Sequence, residues 1–143
     1  MKFREENMLK TVMIVNKDLP LGLIANTTAV LGISLGRLLP DIVGPDILDG
    51  GGRIHRGITN KTVPILSGSK EQIKAICDQL LDNQDTEIIT IDFSEIAQKC
   101  LDYSEYVRYL AAVPTADLYY LGICLYGPAK KVNKLSGNLG LLR

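Results

Sequence analysis

Apolar and polar positions along this chain alternate between short β-like runs and helical stripes. Thr11–Val15 (TVMIV) is a compact apolar run and reads as a central strand. A helix is predicted over Gly22–Leu38, where Thr28, Gly32 and Gly36 recur at steps of four. Such a stripe of small residues lets another backbone approach closely. The segment Leu19–Gly36 carries no charge, but Pro20, Gly22, Asn26, Thr27, Thr28, Gly32 and Ser34 make it too polar and broken for a membrane span, so it reads as a deeply buried helix. Residues 41–60 hold many of the glycines, and Asp46–His55 (DILDGGGRIH) reads as a hairpin insert turning at Asp49-Gly50. Thr62–Leu66 is the next predicted strand.

Ser69, with Gln72 three residues on, predicts a capping box opening a helix with Ile73, Ile76, Cys77, Leu80 and Leu81 on its inner face. Glu87–Ile91 is a strand. Asp92 and Glu95 are placed to cap a helical region whose inner face is Ile96, Cys100, Tyr103, Val107 and Leu110, with a break near Ser104. The uncharged run Leu118–Tyr126 is a strand buried on both faces. Gly127-Pro128 then turns the chain into a short helix, Ala129–Leu135, with Pro128 at its first position and Gly137 ending it in a left-handed conformation. Strands alternating with helices predict an α/β fold: a three-layer α/β/α sandwich on a four-stranded mixed, mostly parallel sheet.

Length and charge narrow the picture. The 143 residues suit one domain, 1–143, large enough to fold without disulfides or metal. Sixteen basic residues balance sixteen acidic ones, so no global field favours nucleic acid or membrane. The charge is uneven, however. After Asp117 there is no acid, while Lys130, Lys131, Lys134 and Arg143 are basic, which makes Lys130 and Lys134 candidate RNA or phosphate contacts. The three cysteines, Cys77, Cys100 and Cys124, sit in apolar company and form no C-x-x-C. They read as reduced core residues of a cytoplasmic protein, and the charged stretch Met1–Asn7 is not the start of a signal peptide.

The ends of the chain resemble the type II peptidyl-tRNA hydrolases. That family opens with a strand running into T-D-L-x-M-G, and Val15–Gly22 (VNKDLPLG) is similar; it closes with L-G-I-x-x-G-P, a short helix and T-G-x-L-x-L, matched here by Leu121-Gly122-Ile123, Gly127-Pro128, Ser136-Gly137, Leu139 and Leu141. The likeness is closer to a bacterial family called domain of unknown function two-thousand. Asn16–Leu23, Asp49, Gly50, His55, Pro64-Ile65 and Gly127–Gly137 are the residues that carry it. The resemblance implies a peptidyl-tRNA hydrolase II-like fold. It does not carry the hydrolase chemistry across. Where the hydrolases place lysine, this chain has Leu23, Ile24 and Ala25 after Gly22. It also lacks the Q-C-S-H run between Asn26 and Gly36 and the D-A-G-x-T segment between Tyr106 and Asp117.

The candidate site residues follow from strand ends and inserts. Ligands gather outside the C-terminal ends of strands in open α/β sheets. Lys17, Asp18, Gly22 and Asn26, together with Gly127 and Pro128, are therefore the candidate ligand-binding residues. His55 is the one histidine, so any triad must include it. Lys17, Asp18 and His55 are the catalytic candidates. No zinc spacing or Walker-type loop is present, so neither metal nor cofactor is expected. Three functions are left open: a homodimeric binding protein for a small ligand or nucleotide, a hydrolase of an ester such as peptidyl-tRNA with a relocated catalytic group, and a structural or interaction protein whose apolar first helix mediates assembly.

Overall fold

A computed structural model describes residues 8–143. Its centre is a four-stranded sheet. Strand β1 (Leu9–Asn16) is followed by helix α1 (Leu21–Leu38), a 3₁₀ turn (Pro40–Ile42), and a two-stranded arm made of β2 (Ile47–Leu48) and β3 (Ile54–His55). Strand β4 (Ile65–Gly68) leads into helix α2 (Lys70–Asn83). Then come β5 (Ile89–Ser94), the short helices α3 (Glu95–Lys99) and α4 (Tyr103–Ala111), β6 (Tyr120–Pro128) and α5 (Ala129–Ser136).

The sheet order is β4-β1-β6-β5. Only β1 and β4 pair in parallel; β6 runs antiparallel to both neighbours. The expectation of a mostly parallel sheet is thus corrected, and the α3–α4 connection explains why. β5 ends beside the start of β6, with Ser94 opposite Tyr120 and the Glu95 amide donating to the Tyr119 carbonyl at 3.0 Å. Two short helices, broken at Cys100–Asp102, carry the chain out and back to the same end of the sheet, so β6 has to run the other way.

Two cores flank the sheet, as the period-two alternation of β1 requires. Val12 and Ile14 point to one face, where Ile73, Ile76, Cys77 and Val132 of α2 and α5 cover Ile123 and Leu125. Met13 points to the other, packed with Leu31 and Leu35 of α1, Phe93 and Cys124. Burial pushes the thiols of Cys77 and Cys124 up to about 12, as suits inert core residues.

Several local expectations shift. The Ser69–Gln72 capping box forms, with both bonds present. The cap of α3 is Ser94, whose hydroxyl accepts the Ala97 amide; Asp92 stays within β5. Leu81, Tyr103 and Val107 are exposed, not on an inner face. Gly137 is right-handed, at φ −65. It is needed for close approach, since a Cβ there would lie 2.5 Å from the Asn133 carbonyl oxygen.

Helix α1 departs furthest from expectation. Only Thr27, Leu31 and Leu35 are buried, so the helix is not deeply buried. By length and composition alone it would suffice to cross a membrane, with mean hydropathy 1.4, but it is seated on the sheet through those three residues. The small-residue stripe makes no tight contact: a Cβ on Gly32 would first meet Met13 at 3.9 Å, and one on Gly36 nothing within 4 Å. Thr28, Gly32 and Gly36 instead line an apolar groove of about 280 Å³ with Met13, Ile42 and Val63. The close approach is made elsewhere, by Thr27 over Gly122 of β6.

Candidate functional site

β1 ends at Asn16 and the chain turns at once. The Asn16 carboxamide oxygen accepts the Asp18 amide at 3.0 Å, an Asx turn that lifts Lys17 and Asp18 into solvent. The Lys17 amide donates to the Gly68 carbonyl at 3.1 Å, tying this turn to the end of the parallel neighbour β4. Pro20 then occupies the N-cap of α1 and offers no side-chain cap. The first backbone bond of the helix runs from the Ile24 amide to the Pro20 carbonyl, so the amides of Leu21, Gly22 and Leu23 are left without a protein acceptor among the described residues. Gly22 is exposed, with open space where a Cβ would stand. Lys17 and Asp18 form no ion pair among the described residues. Asn26 lies about one helical turn beyond Gly22, on the solvent side.

The same end of the sheet holds the start of α2. Lys70 there is engaged: its Nζ is 2.9 Å from Glu95 and 4.3 Å from the Tyr119 ring centroid, and the bond to Glu95 raises its pKa. Lys74 lies 5.0 Å from the same ring and donates to the Leu118 carbonyl. The sequence reading missed this Lys70–Glu95–Tyr119 cluster, because its members come from three separate elements. The usable signal was the strand-end position of Ser69-Lys70 and of Ser94-Glu95.

Gly127 and Pro128 do not join Lys17. In the antiparallel pair, Lys10 lies opposite Gly127 and Leu9 opposite Pro128, at the N-terminal end of β1. At about 3.3 Å per residue, Lys17 is roughly 23 Å away along the strand. Gly127 has a packing role: a Cβ would sit 2.9 Å from the Glu87 carbonyl oxygen. Lys130 and Lys134 share this opposite end. Both are exposed and without ion pairs among the described residues, whereas Lys131 is held by Asp85 at 3.0 Å and Glu87 at 3.5 Å. Lys10 adds a further basic group, donating to the Asn133 carboxamide at 2.6 Å.

His55 belongs to neither end. It lies on the arm, where its Nε2 is 2.8 Å from Asp49 Oδ2. Asp49 also accepts the amides of Gly51 and Arg53, and these bonds hold its carboxyl below the usual range. Across the arm's base, Asp46 binds Arg56 at 2.8 Å and the Gly57 amide at 2.8 Å. His55 therefore serves as a clamp on the arm's turn, and no hydroxyl or thiol is bonded to it among the described residues. In the structure, then, Lys17, Asp18, Gly22 and Asn26 form one group, Gly127, Pro128, Lys130 and Lys134 a second, and His55 stands alone.

This architecture is an α/β protein with a four-stranded mixed sheet covered by helices on both faces. The chain belongs to the family described as protein of unknown function (DUF2000), whose model matches residues 9–143. The fold is similar to the solved structure of a protein of unknown function from Agrobacterium tumefaciens strain C58. The TM-score is 0.83 and the identity 19%, over 93% of this chain and 96% of that one. Among curated proteins, none matches.

Proposed function

We propose that this protein binds a small nucleotide-like ligand at the C-terminal end of β1, on a fold of the peptidyl-tRNA hydrolase II type, and acts as a binding protein and not as a hydrolase. The observation that carries this reading is the first turn of α1. Three unpartnered amides at an uncapped helix N-terminus attract an anion through directed donors and the helix dipole. The Lys17 ammonium, without an ion-pair partner among the described residues, stands at the same turn. Asp18 beside it disfavours a bare anion and favours a ligand that also carries donors, such as the hydroxyls of a ribose. The apolar triplet Leu23, Ile24 and Ala25 that follows offers no lysine to stabilise a developing oxyanion.

The test is calorimetric titration with adenosine monophosphate and with adenosine, beside an assay for turnover of N-acetyl-aminoacyl-tRNA. The nucleotide is expected to bind and the nucleoside to bind at least tenfold more weakly. Lys17→Ala should weaken the nucleotide roughly tenfold, from about 1.5 kcal/mol for a charge-assisted bond. Turnover that depends on Lys17 would replace this reading with the hydrolase one.

The homodimer is part of the same proposal. Ile47, Leu48, Ile54 and Ile58 of the arm and Leu21 and Ile33 of α1 are each at least 60% exposed. At roughly 60–120 Å² of apolar area per aliphatic side chain, the six expose several hundred Å² per copy that a partner copy could cover. Sedimentation analysis should find a dimer that Ile54→Asp combined with Ile58→Asp dissociates. A wild-type monomer at all concentrations would remove this part.

A further inference from the structure

β5 is an edge strand, and its α2-side face is left uncovered. Helix α2 lies over the strands nearer the sheet's centre and stops at Asn83, where Gln84 adopts the left-handed conformation (φ 46) and turns the chain back toward β5. The result is a cleft of about 410 Å³, lined by Leu80 and Cys77 of α2, Ile88, Thr90 and Asp92 at β5, and Tyr120 of β6, among others. Its volume suits a small organic molecule.

Leu80, Leu81 and Ile88 supply the apolar part of the walls, and Asp92, exposed at the cleft, is the one carboxylate of the lining without a protein partner among the described residues. Its carboxyl accepts no hydrogen bond and joins no ion pair among the described residues. The other carboxylate in the lining, Asp85, is taken by Lys131. The nearest lysine of α2, Lys74, is engaged with the Leu118 carbonyl and Asp78. Desolvation pushes the Asp92 carboxyl above its ordinary value of 3.8, the opposite of the partnered Asp46, Asp49 and Asp85. Burial likewise pushes Tyr120 up, so its hydroxyl stays protonated beside the carboxyl, and the Cys77 thiol is held un-ionised. The cleft therefore has no ready nucleophile, and its chemistry is that of binding.

We propose that this cleft is a second binding site, for a small organic ammonium ion: a primary or secondary amine carrying an apolar body. The body would lie against Leu80 and Ile88. The ammonium would supply the charge partner that Asp92 lacks, with the Thr90 and Tyr120 hydroxyls within the same lining. An anionic ligand would meet Asp92 without compensation. The site is independent of the one proposed at Lys17, being lined by none of its residues.

The test uses three probes of one shape on the whole protein, followed by amide NMR: tryptamine, indole and indole-3-propionate. Tryptamine is expected to give saturable shifts at Cys77, Thr90, Asp92 and Tyr120, with indole weaker and the acid silent. Asp92→Asn should weaken tryptamine at least tenfold with a native spectrum. Leu81→Lys, at the exposed rim of the cleft, is a second variant that places a competing cation there and should abolish binding. The proposal is overturned if the acid binds as well as the amine, if the shifts fall elsewhere, if both variants bind like wild type, or if tryptamine gives no saturable shift at millimolar concentration.

Discussion

Gly122→Ala tests how α1 is held on the sheet, and so how the strand-end site is positioned. A Cβ at residue 122 would stand 2.7 Å from Thr27 Cγ2, 3.1 Å from the Ile14 carbonyl oxygen and 3.4 Å from Val15 Cγ2. Carbon atoms pack best at about 3.5–4.0 Å, so the shortfall against Thr27 is close to an ångström. Thr27 is fully buried, and its hydroxyl donates to the Leu23 carbonyl at 2.7 Å, which fixes its rotamer. The Ile14 oxygen is β1 backbone. Neither neighbour yields easily, so α1 must shift outward. Overpacking of this kind costs about 1–3 kcal/mol. For a chain this size, roughly 3–4 °C is lost per kcal/mol, which predicts a Tm lower by about 3–12 °C. Thr27→Ser removes the obstructing methyl and alone costs about 0.8 kcal/mol for the lost buried carbon. The double variant should be more stable than the sum of the two by at least about 0.5 kcal/mol. Urea unfolding followed by circular dichroism, with m-values compared, measures all three. A Gly122→Ala protein within about 0.5 kcal/mol of wild type, or strictly additive effects, would refute the packing argument.

The remaining predictions address single groups. Thr11 is buried and its hydroxyl has no partner among the described residues, so the nearly isosteric Thr11→Val should stabilise by about 1 kcal/mol in the same unfolding assay. Asp92→Asn should stabilise the protein near neutral pH. The folded carboxyl binds its proton more tightly than the unfolded one, so wild-type stability falls as pH rises from 3.8 toward the raised folded value and stays lower above it. The advantage of the variant should vanish below that window, and an advantage independent of pH would refute the cause. Gly57→Ala would drive a Cβ into the Gly44 carbonyl at the arm's base. It should expose the arm to limited proteolysis while β1 and β6 keep their slow amide exchange. His55→Ala should do the same more weakly, because the pair it loses lies at the surface, where water screens it.

Much of the fold was legible because its signals are local. The apolar runs placed β1 and β6, and Ser69 with Gln72 marked the start of α2, since capping depends on adjacent residues alone. Sheet direction was not legible. It depends on whether a helical connection ends where it began, and the break at Cys100–Asp102 that decides this leaves only a weak local trace. The candidate site was legible in part. Lys17, Asp18, Gly22 and Asn26 are contiguous in sequence and share one end of the sheet, whereas Gly127 and Pro128 were grouped with them only because the direction of β6 was unknown. Gly32 and Gly36 of α1 suggested close packing that the structure assigns to Gly122, a strand residue with no periodic signal. Asp92 looked like a helix cap because an acid shortly before a helix usually is one. Its position facing an uncovered sheet face is a property of the tertiary fold.

The ligand site is proposed at the Lys17 end of β1. Amide chemical-shift mapping with adenosine monophosphate tests it most directly, because the two basic ends of the sheet report separately. Saturable shifts are expected at Lys17, Asp18 and the Leu21–Leu23 amides, lost in Lys17→Ala, with Ala129–Lys134 unmoved. Shifts confined to Lys10, Lys130 and Lys134, or none that saturate, would contradict it.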